Sequence, residues 1–271
     1  MTTPFTYDFG YGWSVGWIHL IPLALGGSAA ALGLWLGWRR GLVALAGAFA
    51  LWALAGLFIM HVVFGINTPM TLPSERFLAA DHGRFVDLGA GSGRAAIGVL
   101  RARPHTTATA VDIYSGFWGI VENTPARLMT NARIGGVADR IDVQTADMRK
   151  LPFPDSSYDA AVSTYAIDHL RRDDIPVALN EVARVLKPNG EFLLGIVNQD
   201  FWVRFSMPIP HFGLAAHRPP DPNRWRRLLQ QSGFEVLEEG TSPATLYWIA
   251  RKATTSPEPR TPSPGSGSSS E

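Results

Sequence analysis

The sequence predicts an α/β protein with a doubly wound, mostly parallel seven-stranded sheet, preceded by an α-helical hairpin that crosses a membrane. Three features of the 271 residues lead to this fold class. The first quarter holds two long uncharged apolar runs, and the remainder alternates short apolar strands with amphipathic helices. A glycine-rich turn joins the first of these strands to a helix.

The two apolar runs have the length of membrane helices. Residues 13–38 and 42–64 contain no Asp, Glu, Lys or Arg, and only Arg39, Arg40 and a glycine separate them. About twenty apolar residues cross the ~30 Å hydrocarbon core of a bilayer. We therefore expect two transmembrane helices, at about 13–38 and 42–64, in a membrane unit of residues 1–66.

Two alternatives for this region fit less well. A cleaved signal peptide has a basic start and a shorter apolar core, whereas residues 1–12 contain no Lys or Arg. A hairpin buried in a soluble core conflicts with the length of both runs. Small residues at four-residue spacing, such as Gly33 with Gly37 and Ala46 with Ala50, predict close packing of the two helices.

The rest of the chain reads as a second unit, residues 67–252, followed by a Ser-, Pro- and Gly-rich tail, 253–271, that we expect to be disordered. Short β-branched or alternating runs predict the strands, and runs with a period of 3.6 predict the helices. Strands are expected at 84–88, 106–111, 141–145, 158–163, 191–197, 234–237 and 245–250. Helices are expected at 94–101, 123–134, 175–186 and from 221 to 233.

Capping residues fix several helix boundaries. Asp173 or Asp174 can begin the helix 175–186, and Pro188 follows its end. Asp221 supplies a cap before a proline in the first turn of the last helix, and Gly233 ends that helix.

Composition excludes several classes of site. The chain has no cysteine, which removes disulfide scaffolds, cysteine nucleophiles and thiolate metal sites. A net charge of +1 provides no electrostatic footprint for nucleic acid. We predict no metal site and no nucleic-acid partner.

The segment 86–93, Val-Asp-Leu-Gly-Ala-Gly-Ser-Gly, is the strongest signal for a ligand site. Alternate glycines permit a tight turn and close backbone contact with a ligand, and the following helix directs free N–H groups towards it. The segment 91–96 also fits G-x-G-x-x-A loosely, so the glycines alone leave a dinucleotide site open.

Three acids at strand ends favour a different ligand. Asp87 could face a cationic group, Asp112 can accept both hydroxyls of a ribose, and Asp147 can accept an adenine amino group. An ammonium, a ribose diol and an exocyclic amine occur together in S-adenosylmethionine, whereas a pyrophosphate would be repelled by Asp87. An NAD(P)-dependent oxidoreductase and a non-catalytic cofactor-binding membrane protein remain as alternatives.

At these residues the sequence resembles the class I S-adenosylmethionine-dependent methyltransferases, and in particular their type 11 group, which includes quinone-biosynthesis and phospholipid N-methyltransferases. The resemblance implies a Rossmann-like fold and an acceptor that is a small or lipid-soluble molecule. The matching residues are 86–93, Asp112, 146–148, 151–159, 167–170 and 181–190. The sequence departs from many relatives at Asp168, before His169, and in the aromatic segment 114–118.

The resemblance also implies roles for individual residues. Asp87 with the loop residues Gly89, Ala90, Gly91 and Gly93 would hold the methionine portion of the cofactor. Asp112 would bind the ribose, Ile113 would flank the adenine, Asp147 and Met148 would lie at its edge, and Ser163 would offer backbone to the amino-acid end.

No catalytic residue can be assigned from the sequence. A general base is needed only if the acceptor loses a proton, and the candidates by position are Tyr165, Asp168, His169, His211 and His217. The aromatic segment 201–210 predicts either an entrance for an apolar acceptor or a loop packed under the hairpin.

The predicted location is a membrane, crossed by two helices, with the catalytic domain on the cytosolic side. Arg39 and Arg40 in the turn are balanced by Arg76 and Arg84 after the second helix, so the positive-inside rule does not choose an orientation. The catalytic domain needs a cytosolic cofactor, and this need favours the orientation that places the domain in the cytosol. An excess of Arg over Lys suggests a bacterial inner or plasma membrane.

Overall fold

The computed structural model describes residues 6–115, 121–207 and 220–254. Its centre is a sheet of seven strands: β1 (Gly83–Leu88), β2 (Thr106–Asp112), β3 (Ile141–Thr145), β4 (Tyr158–Thr164), β5 (Leu186–Val197), β6 (Phe234–Ser242) and β7 (Thr245–Lys252). Their order in the sheet is β3-β2-β1-β4-β5-β7-β6, and β7 runs antiparallel to both neighbours. The predicted seven-stranded α/β fold is confirmed, and the sheet is mixed.

Helices cover both faces of the sheet because successive strand residues point to opposite sides. The helices of this unit are α4 (Arg94–Ala102), α5 (Pro125–Ile134), α6 (Asp174–Val185), α7 (Phe201–Ser206) and α8 (Pro222–Gln231). Phe85 packs into one buried core with α4 and α5, and Val86 packs into the other with α6 and α8.

The sequence signals placed most boundaries within a few residues. The Asp221 side chain caps α8 by accepting the Asn223 N–H at 2.9 Å, as its position before a proline predicts. Two strands of the α/β unit differ most, by five residues each: β5 begins at Leu186 instead of Glu191, and β6 ends at Ser242 instead of Leu237. Tyr158 of β4 pairs with Leu186 before the register shifts, so the Pro-Asn-Gly segment lies within the strand.

The apolar region forms a hairpin of two main helices. A short helix α1 (Trp13–Gly16) precedes α2 (Leu20–Trp35), and α3 (Arg40–Phe58) continues through a π-helical turn to Val63. Of the helices in the described ranges, the one over residues 40–63 is long and apolar enough to cross a membrane by length and composition, and α2 is apolar but shorter.

The prediction of one continuous helix over residues 13–38 is wrong. The chain turns at residues 17–19, because the Gly16 carbonyl lies 2.8 Å from His61 Nε2 and does not extend a helical ladder. Glycine also lowers helix propensity at this point. His19, at the start of α2, instead packs against Gly56 of α3.

Small residues set the distance between α2 and α3. A Cβ added to Gly26 would lie 2.8 Å from the Ala46 carbonyl oxygen and 3.2 Å from Ala50 Cβ. The spacing of Ala46 and Ala50 therefore does mark a helix contact, although their partner is Gly26 and not one of the glycine pairs.

Both ends of the hairpin are fixed to the α/β unit. Before it, Tyr7 and Phe9 are buried in the core formed with α4 and α5. After it, the Arg94 guanidinium donates to the carbonyls of Phe64 at 2.9 Å and Thr68 at 3.0 Å. Arg94 is the first residue of α4, so the hairpin ends directly beside the glycine-rich turn.

Candidate functional site

The glycine-rich turn connects β1 to α4 through left-handed backbone. Gly89, Gly91 and Gly93 have φ angles of +71°, +53° and +88°, a region that glycine adopts without a steric penalty. A Cβ on Gly89 would lie 2.2 Å from the Ala166 Cβ. The turn thus requires glycine at position 89 for both its conformation and its packing.

Replacing Gly89 by Ala is expected to destabilise the protein more than the same change at Gly136. Gly136 has a similar φ of +68° but no atom within 4 Å of an added Cβ, so it reports backbone strain alone, about 1–2 kcal/mol. The clash with Ala166 adds to that strain at Gly89. Thermal unfolding of both variants, with S-adenosylmethionine titrations by calorimetry, measures the difference, and equal effects would contradict this view of the turn.

The Asp87 side chain is directed away from the cleft beside the turn, and its contact with a cationic ligand group stays a prediction. Its side chain is buried, and Oδ2 accepts the Ala96 N–H in the first turn of α4 at 2.9 Å. Burial raises the pKa of this carboxyl to about 7; the Ala96 hydrogen bond opposes that shift, and the charge of Asp112 adds to it. Asp87 therefore stabilises the glycine-rich turn by holding the first turn of α4 with this hydrogen bond.

Asp112 lies at the end of β2 and already accepts three hydrogen bonds. Its Oδ2 accepts the Gly91 N–H at 2.9 Å, and its Oδ1 accepts the Tyr114 N–H at 2.7 Å and an Asn123 Nδ2–H at 3.2 Å. Asp112 thus ties the glycine-rich turn to the segment after β2.

A cleft opens at the carboxyl ends of β1 to β4, where ligands bind in sheets of this type. Five of the ten predicted cofactor residues line it: Gly89, Asp112, Ile113, Asp147 and Met148. The remaining predicted residues do not: Asp87, Ala90, Gly91, Gly93 and Ser163.

Two of the predicted residues that do not line the cleft form hydrogen bonds to the strands beside it. The Ala90 N–H donates to the Val111 carbonyl at 3.0 Å, and the Ser163 hydroxyl donates to the Leu88 carbonyl at 2.9 Å. Ser163 is fully buried within β4, and Tyr165 and Ala166 occupy the cleft wall after that strand.

Asp147 lines the cleft as a carboxylate whose negative charge is already paired with an arginine. Both of its carboxylate oxygens accept hydrogen bonds from the Arg149 guanidinium, at distances of 2.6 to 3.0 Å. These bonds lower the pKa of Asp147. An adenine amino group at this position would share the carboxylate with Arg149.

The cleft fits a nucleoside. Ile113 and Met148 offer apolar surface for a base, and Asp112 offers an acceptor for a sugar hydroxyl. The Oδ1 atom of Asn123, which also lines the cleft, is buried and has no hydrogen-bond partner within the described residues. An unpaired buried acceptor is costly unless a ligand donor reaches it.

Three of the five candidate bases are described, and His211 and His217 lie outside the described residues. Tyr165 and His169 line the cleft, and the Tyr165 hydroxyl pairs with Thr245 Oγ1. Asp168 accepts the Val197 N–H with Oδ2 at 3.2 Å, while its Oδ1 is shielded and unpaired within the described part of the chain. Burial raises the pKa of Asp168.

Asn123 is one of the cleft residues that the sequence did not reveal, together with Val111, Ser115, Arg149 and Ala166. It lies eleven residues after Asp112, at the start of a segment read as helix, and no spacing rule links the two positions. The helix begins later, at Pro125, with the Thr124 side chain as its cap.

Comparisons with known proteins agree with this geometry. A family model described as a methyltransferase domain matches residues 85–190. The O-methyltransferase rstn1 of Aspergillus nomiae is 28% identical over 60% of this chain and 69% of its own. The ubiquinone/menaquinone biosynthesis C-methyltransferase UbiE of Bartonella tribocorum is 34% identical over 42% of this chain and 41% of its own.

A solved structure shows the same fold. The SAM-dependent methyltransferase from Methanosarcina mazei superposes with a TM-score of 0.50 at 20% identity, covering 65% of this chain and 94% of that one. The matched region spans about two thirds of the length of the Aspergillus O-methyltransferase and about two fifths of the length of the Bartonella C-methyltransferase. The predicted enzyme class and cofactor are confirmed, and they replace the oxidoreductase alternative.

Proposed function

We propose that this S-adenosylmethionine-dependent methyltransferase is anchored in a membrane by its hairpin and methylates a lipid-soluble acceptor. The observation that carries the proposal is the apolar surface of α2 and α3, which the described part of the chain leaves uncovered. Large apolar side chains on these helices are about half exposed or more, among them Leu25, Leu34, Leu45, Leu51, Leu54 and Phe58. Exposed apolar surface of this extent needs a partner, and lipid is one.

The length of the longer helix of the hairpin agrees with a bilayer. The helix over residues 40–63 is about 36 Å long, slightly more than the ~30 Å hydrocarbon core. Trp35 and Trp38 lie at the turn, beside Arg39 and Arg40, where interfacial aromatic and basic residues are common. On this proposal the catalytic domain lies on the cytosolic side, which a reporter fused at Glu271 can test.

Helix α7 supports an acceptor that arrives from the bilayer. It follows β5 at the catalytic edge of the sheet, and its Phe205 carbonyl accepts the Trp52 Nε1–H of α3 at 3.1 Å. Phe201 and Trp202 on the same helix are 66% and 55% exposed. An apolar path along α7 would join the lipid to the cleft. On this proposal residues 201–206 both pack against the hairpin and form an entrance, while residues 208–210 of the predicted segment lie outside the described residues.

The names of two relatives fit this acceptor class. One is an O-methyltransferase, and the other acts in ubiquinone and menaquinone biosynthesis. In the transfer, the acceptor atom attacks the methyl carbon, the carbon–sulfur bond breaks with its electron pair going to sulfur, and the acceptor gains one CH₃ group. Where the acceptor loses a proton, Tyr165 and His169 are the candidate bases that line the cleft.

Incubating the full chain with S-adenosylmethionine labelled in the methyl group and a total lipid extract tests the acceptor. We expect label in an organic-soluble product, identified by mass spectrometry. Label that appears only in water-soluble molecules from a matched aqueous extract would contradict a lipid-soluble acceptor and leave the methyltransferase activity standing.

Lysine substitutions on the outer face of α3 test the anchor. Leu45→Lys and Leu51→Lys place a charge at positions that are 69% and 67% exposed, which costs little in water. In the hydrocarbon core each costs about 3 kcal/mol, so we expect the variants to leave the membrane fraction after a carbonate wash. Val177→Lys, on an exposed position of α6, is the control and is expected to stay in the membrane fraction with wild type. Release of wild type itself by the same wash would contradict membrane insertion.

A further inference from the structure

The hydrogen bonds of Asp112 limit what this carboxylate can offer a ligand. A carboxylate has about four lone-pair sites, and three of those on Asp112 are taken by the N–H groups of Gly91, Tyr114 and Asn123. One site remains. Asp112 can therefore accept one hydroxyl of a ribose without losing a bond, and the expectation that it accepts both is not met by this geometry.

Asn123 places a second acceptor beside the first. Its side-chain N–H donates to Asp112 Oδ1 at 3.2 Å, and the residue is only 8% exposed. Its carbonyl oxygen Oδ1 is buried and has no partner in the ranges that the structure describes. The orientation of the amide is fixed, because the reverse orientation would bring Oδ1 against the Asp112 carboxylate, two acceptors in contact.

We propose that Asn123 is a cofactor-binding residue that shares the ribose diol with Asp112. One hydroxyl donates to the remaining lone pair of Asp112, and the other donates to Asn123 Oδ1. The same amide holds Asp112 in place through its N–H. Binding the diol would thus satisfy an acceptor that is otherwise buried without a hydrogen bond.

This assignment gives the segment after β2 a role in recognition. Tyr114 turns the chain with a φ of +50°, a conformation that few non-glycine residues adopt, and its N–H is fixed on Asp112. Thr124 then caps α5 immediately after Asn123. Local hydrogen bonds therefore hold the backbone directly after Asp112 and directly after Asn123, which keeps the amide against the carboxylate.

Ligands that lack one hydroxyl test the proposal in the full chain. The probes are S-adenosylhomocysteine and its 2′-deoxy and 3′-deoxy analogues, titrated by calorimetry into wild type and Asn123→Ala. For wild type, we expect each analogue to bind about tenfold more weakly than the parent. For Asn123→Ala, we expect the parent to bind about tenfold more weakly, and one of the two deoxy analogues to bind as well as the parent does.

The pattern separates a contact from a general disturbance. A variant with a distorted cleft would weaken all three ligands and keep both deoxy penalties, which would overturn the proposal, as would unchanged binding of the parent. Asn123→Ser, whose side chain is too short to reach, is the second variant if the first unfolds. Asn223→Ala removes an exposed amide on α8 and is the control. The test does not depend on the acceptor, so its result is independent of the proposed lipid substrate.

Discussion

Replacing Asp112 by Ala is expected to raise the dissociation constant for S-adenosylmethionine about a hundredfold or more. The variant loses a charge-assisted hydrogen bond to a ribose hydroxyl, a type of interaction that contributes about 1.5–3 kcal/mol. It also frees the Gly91 N–H, which Asp112 holds at 2.9 Å, and so loosens the glycine-rich turn. Together these losses correspond to about 3 kcal/mol, or two orders of magnitude in affinity.

Calorimetric titration of the full chain measures this effect. Asp142→Asn, at an exposed position on β3, is the matched control because it removes one carboxylate charge away from the cleft. We expect that control to bind like wild type. Retention of cofactor affinity within a few-fold in a folded Asp112→Ala variant would mean that the ribose is not held at the end of β2.

The placement of Asp112 and Asp147 shows what sequence patterns can predict about such a site. Both residues follow β-branched or alternating runs, and parallel strands bring their carboxyl ends to one edge of the sheet. The pattern therefore places each acid at the cleft. The pattern carries no information on competing hydrogen bonds, so it does not reveal that the Arg149 guanidinium already donates to the Asp147 carboxylate.

Other features depended on contacts between distant parts of the chain. The break between α1 and α2 involves His61, which lies 45 residues from the Gly16 carbonyl it contacts. Asn123 enters the cleft because a side chain eleven residues away accepts its N–H. Asp87 differs again: the sequence places it at the end of β1, but only the structure shows that the Ala96 N–H holds its carboxylate beneath the turn.

Replacing Asp87 by Asn is expected to stabilise the folded protein at alkaline pH. The buried carboxyl has a pKa raised from 3.8 to about 7, chiefly because burial disfavours its charged form. An unfolded chain releases this proton near pH 4, and the folded chain keeps it until about pH 7. The folded state thus binds more protons within this window, and stability falls as the pH rises through it.

The asparagine variant lacks that loss because its side chain carries no charge. Its amide oxygen can still accept the Ala96 N–H that Asp87 accepts at 2.9 Å. The shift corresponds to at most about 4 kcal/mol between pH 4 and pH 8, with the full gain of the variant above pH 7. Free energies of unfolding of both proteins in one detergent at pH 5 and pH 8 measure it, with Asp142→Asn as a surface control.

The same variant distinguishes a supporting role for Asp87 from direct contact with the cofactor. Asp87 lies below the turn and does not line the cleft. We therefore expect Asp87→Asn to keep its affinity for S-adenosylmethionine at pH 8 within about threefold, while its stability rises. A carboxylate paired with the ligand's cation would give the opposite result, since its loss removes a favourable charge interaction of roughly 1 kcal/mol or more. If Asp87→Asn instead lost cofactor affinity and kept the wild-type pH dependence of stability, Asp87 would contact the ligand and its pKa would not be raised by burial.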